Sequence, residues 1–221
     1  MAQTAIKRWV KPLAIFAACA CASRPHDPVL DSYPRDVNGQ TTVMYYDVHG
    51  STVAELRADM RRLGPKVDDN SFIGETRSPM RWTWRTQPAG TSACSIREVR
   101  VYVNAQVLLP RWMPPADTEP GLFAEWNRFM AALETHEAGH KNISAKAASE
   151  IVKQVGALSG SCSMIGDRAR DIAQNIVARV EDEQRRYDAE TRHGITQGTA
   201  FGIRRPAPPP LTPLFPLAPS T

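Results

Sequence analysis

A single pentapeptide, His136-Glu137-Ala138-Gly139-His140, constrains this chain more than any other stretch. It lies inside a long apolar periodicity. Leu122, Phe123, Trp126, Phe129, Met130 and Leu133 precede it, and Ile143, Ala147, Ile151, Val155 and Leu158 follow. Steps of three and four dominate, which predicts one long amphipathic helix. Residues four apart on a helix share a face, so both imidazoles fall on the buried stripe with Ile143 and Ala147. Two buried imidazoles beside a carboxylate are hard to satisfy by ordinary hydrogen bonds, and a shared metal ion resolves the problem.

Composition narrows the surroundings. At 221 residues the chain is long enough for one domain with its own core. Its net charge of +4 rests heavily on the first 22 residues, which contain Lys7, Arg8 and Lys11 and no acid. Without them, 24 basic residues face 23 acidic ones, and the net charge falls to +1. No basic field remains to hold phosphates, so a nucleic-acid partner is not expected. The basic start, the run Leu13-Ala14-Ile15-Phe16-Ala17-Ala18 and the small residues Ala20-Cys21-Ala22 read as a signal peptide over 1–22. The expected location is the periplasm or the extracellular space. Membrane contact would come only through lipidation at Cys19, whose context is a weak lipoprotein signal. Export leaves Cys94 and Cys162, an even pair that suggests one disulfide.

Read in order, residues 23–38 are rich in Pro and Asp and form a linker, and a domain spans 39–204. The tail 205–221 is Pro-rich and is expected to be extended and disordered. Within the domain, Thr41–Tyr46 is β-branched and aromatic, hence a strand. After the His49-Gly50 turn, Ser51 or Thr52 caps a helix supported by Glu55, and Gly64-Pro65 stops it. Trp82 and Trp84 alternate with polar neighbours in a second strand. A longer strand carries Val99, Val101, Val103, Ala105, Val107 and Leu109 on one face, with Arg100, Tyr102 and Asn104 on the other. Asp117 and Thr118 are candidate caps for the long helix. A second long helix follows Gly160-Ser161-Cys162, with the stripe Ile165, Ala169, Ile172, Ala173, Ile176, Val177, Val180 and Tyr187. The class is α+β: a small sheet packed on two long helices, the first carrying the pentapeptide. That is the layout of zincin peptidases, in which an edge strand pairs with an extended substrate. The strand ending near Leu109 is the expected edge.

Two histidines leave a catalytic zinc site short of a third protein ligand. Position 146, where a compact extension of the motif would place it, is Lys. The second long helix offers two candidates: Glu183, a charge on the apolar stripe, and His193 at the helix end.

The two motifs together, His136-Glu137-x-Gly139-His140 and Tyr187-Asp188-x-x-Thr191-x-His193-Gly194, resemble a bacterial family described as predicted secreted Zn-dependent proteases, domain of unknown function 922. The likeness spans roughly residues 40–195. The resemblance implies a zincin-like fold, export and a Zn2+ site of His136, His140 and His193, with His193 ahead of Glu183. Glu137 would be the general base that takes a proton from metal-held water. Asp188 would orient a ligand histidine, and Tyr187 would hydrogen-bond an oxyanion. Gly139 would let the helix pack closely on its neighbour, and His49 is a surface turn residue. The activity expected is that of a zinc metallopeptidase on a protein or peptide substrate. A zinc amidase acting on cell-wall peptides shares every feature. The alternative is a non-catalytic envelope lipoprotein that keeps the fold as a binding module.

Overall fold

The structure, a computed structural model, describes residues 28–67 and 70–202. The signal-peptide reading, Cys19 and the Pro-rich tail lie outside the described residues. The sheet is mixed. Strand β1 (Asn38–Val48) leads into α1 (Val53–Leu63), and two short strands, β2 (Lys66–Val67) and β3 (Asn70–Ser71), pair with each other. Then come β4 (Glu75–Arg77), β5 (Met80–Pro88), β6 (Ala93–Trp112), α2 (Pro120–Gly156), β7 (Ser159–Ser161) and α3 (Ile165–Thr191). Short 3-10 turns at Pro28–Asp31 and Ile195–Gln197 lie outside these elements. The α+β class is the expected one, and the pentapeptide sits in α2, the first of the two long helices.

Strand β6 organises everything else. Along one side it pairs in parallel with β1 and antiparallel with β7. Along the other it pairs antiparallel with β5 and then β4. The expectation that the strand ending at Leu109 is an edge is therefore wrong: β6 is the central strand, and the short β4 ends the β1-β6-β4 path. The apolar alternation of β6 marks only that one of its faces is covered; its pairing along both sides is a tertiary outcome. Its face of Val101, Val103, Ala105, Val107 and Leu109 is buried beneath the helices. The register skips between Arg85↔Glu98 and Thr86↔Ile96, which leaves Arg97 as an extra residue in β6. This bulge switches the buried parity from odd residues to even ones, so Cys94 and Ile96 also face inward. Cys94 is disulfide-bonded to Cys162, tying β6 to the start of α3.

Local chemistry explains the helices. Thr52 caps α1 in a capping box, its side chain accepting from Glu55 N while the Glu55 carboxylate accepts from Thr52 N. Of the two cap candidates, Thr52 is therefore the one used. Helix α2 starts differently from expectation. Glu119 is its N-cap, without a side-chain hydrogen bond, and Pro120 opens the first turn, where a missing N–H costs nothing. Thr118 instead donates to Pro115 O, and the proline-directed turn decides the start.

The core has two parts that meet under the sheet. One joins Val101 and Val103 to Ala148, Ile151 and Val155 of α2 and Ala169, Ala173 and Ile176 of α3. The other joins Val107 and Leu109 to Leu56 and Met60 of α1, Trp126, Phe129 and Leu133 of α2, and Phe201. Each large side chain so buried contributes roughly 1.5–3 kcal/mol. The segment expected to be linker is packed from Leu30 onward. Leu30 is fully buried, and Lys141 donates to Ser32 O while its ammonium lies 4.7 Å from the Tyr33 ring centre. Burial pulls the Lys141 pKa down. The signal missed was Leu30 itself, one apolar residue in a polar stretch, too little for a periodicity.

Candidate metal centre

His136 and His140 project from α2 where the two core parts meet. Their Nε2 atoms are 3.2 Å apart. Asp188 of α3 brings one carboxylate oxygen to 3.3 Å from His136 Nε2 and 3.1 Å from His140 Nε2. These three residues form a group able to hold a metal ion.

The hydrogen bonds behind the rings fix their tautomers. Gln184 Nε2 donates to His140 O and to Ser144 Oγ, so Gln184 Oε1 is the atom 2.6 Å from His140 Nδ1. An amide oxygen only accepts, so Nδ1 carries the proton. In the same way Gln197 Nε2 donates to the Tyr187 hydroxyl, and its Oε1 lies 2.9 Å from His136 Nδ1. Both imidazoles therefore turn an Nε2 lone pair toward the other and toward a carboxylate. Three acceptors converging within about 3 Å require a positive charge between them, and a cation satisfies all three at once. The donor set fits a borderline metal such as zinc, which takes imidazole nitrogen and carboxylate oxygen.

Titration tendencies agree. Burial would raise the Asp188 pKa, but the close approach of His136 and His140, which favours positive charge at their Nε2 atoms, overturns this and holds the carboxyl well below the usual range. Burial would lower the His140 pKa, but Asp188, Gln184 and Glu137 raise it on balance. Each group calls for a positive charge at the same point.

Glu137 lies beside the cluster and is almost fully buried. Burial pushes its pKa up, against the Thr76 hydroxyl and the two histidines, which pull it down. Thr76 Oγ1, on β4, is 2.7 Å from Glu137 Oε2. Gly74 makes this approach possible, since a Cβ there would come within 2.5 Å of Glu137 Oε1. Neither Thr76 nor Gly74 stands out in the sequence, because β4 is three residues long and has no period to detect.

The cluster opens into a cleft of about 850 Å³. Its floor includes Met60, Leu133 and Phe201, and Gly74, Glu75, Thr76 and Arg77 form one wall. Two apolar residues at the rim are well exposed, Val67 on the β2 side and Ile195 after α3.

The second motif is explained almost residue by residue. The Tyr187 hydroxyl donates to His136 O, and its ring stacks on the His136 ring at 5.2 Å. Gly139 makes room for it, because a Cβ there would sit 2.0 Å from the Tyr187 oxygen. The close packing expected at Gly139 is present. The expected role of Tyr187 as oxyanion donor has to be corrected: its hydroxyl is committed to the α2 backbone and to Gln197, and the ring supports His136 from behind. Thr191 Oγ1 donates to Tyr187 O and accepts from Gly194 N, closing the turn after α3.

Neither His193 nor Glu183, the expected third ligands, belongs to the group of His136, His140 and Asp188, although His193 adjoins it through Asp188. Glu183 is half-exposed beside Arg179, and its neighbour Gln184 faces the site instead. His193 lines the cleft with its side chain 61% exposed, Nδ1 3.5 Å from the same Asp188 oxygen. Arg192 and His193 both adopt left-handed backbone, φ 50° and 52°, ahead of Gly194 at φ 79°. Each non-glycine residue there costs about 1–2 kcal/mol. Asp188, expected only to orient a ligand, takes the position facing both histidines. One turn of helix separates it from Gln184, and sequence spacing alone does not say which polar residue of α3 meets α2.

Among the described residues no helix is long and apolar enough to cross a membrane. The Cys94–Cys162 disulfide fits an oxidising compartment. No curated protein and no solved structure matches the chain. The family described as "Bacterial protein of unknown function (DUF922)" matches residues 43–194, from β1 to the glycine after α3, and the chain belongs to that family.

Proposed function

We propose that the protein is a zinc-dependent metallopeptidase of zincin-like architecture that acts outside the cytoplasm. The observation that carries this reading is the convergence of two tautomer-fixed imidazoles and one carboxylate, with a buried carboxylate, Glu137, at their side. His136, His140 and Asp188 would hold the ion. When bound, zinc supplies Lewis acidity and makes water a nucleophile near neutral pH.

The remaining chemistry belongs to the chain. Water adds to the peptide carbonyl carbon, and its proton passes to Glu137. Burial suits Glu137 to this, since a carboxylate with a raised pKa holds a proton long enough to hand it on. As the C–N bond breaks, Glu137 gives that proton to the amine nitrogen, and a carboxylic acid and an amine leave. Thr76 keeps the Glu137 carboxylate in place throughout. Gln184, Gln197 and Tyr187 hold the two rings. Strand β4 lines the cleft and ends its sheet path, so it takes the edge-strand role toward an extended substrate. The leader-like residues 1–22 and the disulfide support export to the periplasm or beyond.

The test is elemental analysis of the purified protein with parallel assays on a quenched fluorogenic peptide library. One zinc per chain, lost in Asp188→Ala, and cleavage abolished in Glu137→Gln with zinc retained, is the expected result. Zinc binding without cleavage of any peptide, cell-wall peptides included, would favour a binding module on the same fold.

A further inference from the structure

Resting on the peptidase reading, we propose that His193 is a catalytic residue that touches the substrate: its ring N–H donates to the carbonyl oxygen of the bound peptide bond as that oxygen gains negative charge. Three independent observations converge on it.

The first is its backbone. A helix that ends through a left-handed residue needs only one, and Arg192 already supplies it as the C-cap of α3. A second strained residue, His193, is not needed for the cap. Strain that capping does not explain is typical of residues held for a purpose at a site.

The second is what the strain achieves. It sets the imidazole on the cleft wall, beside the Asp188 oxygen that faces both buried histidines. The ring also meets Phe72 from the opposite wall, at 5.7 Å between ring centres. Phe72 and Asp188 thus hold the ring from two sides.

The third is hydrogen bonding. At 3.5 Å the contact with Asp188 is electrostatic and too long for a hydrogen bond. The His136 and His140 rings have their Nδ1 protons committed to glutamines, whereas among the described residues the His193 ring commits neither nitrogen. It is also the exposed imidazole of the three, with 61% of its side chain open against 6% and 12%. An uncommitted donor in the cleft, beside the point where charge develops, meets the geometric requirement for stabilising an oxyanion.

His193→Gly tests this cleanly, because glycine adopts φ near 52° without penalty and the turn survives. Expected are unchanged zinc per chain, a thermal midpoint no lower than wild type, and kcat on a fluorogenic peptide reduced about 10²–10³-fold with KM within about threefold. His193→Asn, which tolerates the left-handed region and keeps an N–H donor, should recover part of the loss. Loss of zinc in His193→Gly would make His193 a ligand and overturn the proposal. Retained zinc with undiminished kcat would overturn it too. A wild type that holds no zinc and cleaves no peptide would instead overturn the peptidase reading, and this proposal with it.

Discussion

Thr76 and Gly139 act on the site through single atoms. In Thr76→Val the Glu137 carboxylate loses its side-chain donor. Groups that orient catalytic machinery in this way are worth roughly 10–100-fold in activity. The expected outcome is a loss of that size in kcat with zinc content unchanged, read by steady-state kinetics and elemental analysis side by side. In Gly139→Ala the new methyl would run into the Tyr187 hydroxyl. Overpacking of this kind costs about 1–3 kcal/mol. Thermal denaturation should show a midpoint several degrees lower, and an unchanged midpoint would mean the two helices can part at no cost. At this scale the sequence was partly legible. His136, Glu137 and His140 announce themselves because helix geometry turns a spacing into a shared face. Asp188 and Gln184 do not, because their meeting with α2 depends on how α3 packs. The pairing of α3 with α2 is a tertiary outcome that no spacing along one chain encodes.

Among the elements, β1 and β6 both run longer than the residue patterns that announce them. In β6, alternation read back from Val99 stops at the bulge, so the inward-facing Cys94 and Ile96 share no period with Val99 and Val101. The bulge absorbs Arg97, which leaves Cys94 facing Cys162. Deleting Arg97 would remove the extra residue, so that Ile96 precedes Glu98 directly and Ile96 and Cys94 keep facing inward in simple alternation with Val99. The deletion variant should therefore still form the disulfide and show no free thiol from this pair to a thiol-reactive dye, and a free thiol would mean that the bulge itself aligns Cys94 with Cys162. The bond itself closes a long loop, its cysteines 68 positions apart in the chain. On chain entropy alone such a crosslink contributes about 4 kcal/mol. Cys94→Ser with Cys162→Ser should lower the urea midpoint accordingly, and an unchanged midpoint would show that helix packing alone fixes this corner. Helix α1 is legible almost to the residue because capping box, apolar stripe and terminal glycine agree, and α3 because its apolar stripe begins at Ile165 and a glycine follows its end. The strands β2, β3, β4 and β7 are not, since two or three residues carry no period.

For the molecule as a whole, a bound ion should behave as a structural strut as well as a reagent. The cluster bridges α2 and α3, so an ion that binds only the folded state adds about 2.7 kcal/mol when its free concentration is a hundredfold above Kd. Chelation should lower the thermal midpoint, zinc should restore it, and Asp188→Ala should abolish the difference.

The stretch matched by the family stops at residue 194, yet the folded unit does not. Phe201 fills the core against Trp126 and Phe129, Gln197 grips His136, and at the other end Leu30 is sealed beneath the sheet. A gene fragment trimmed to 43–194 would encode both metal-facing histidines and the aspartate, but not the pieces that keep them aligned. Whoever moves this site between chains must carry residues 28–202 as one indivisible cassette.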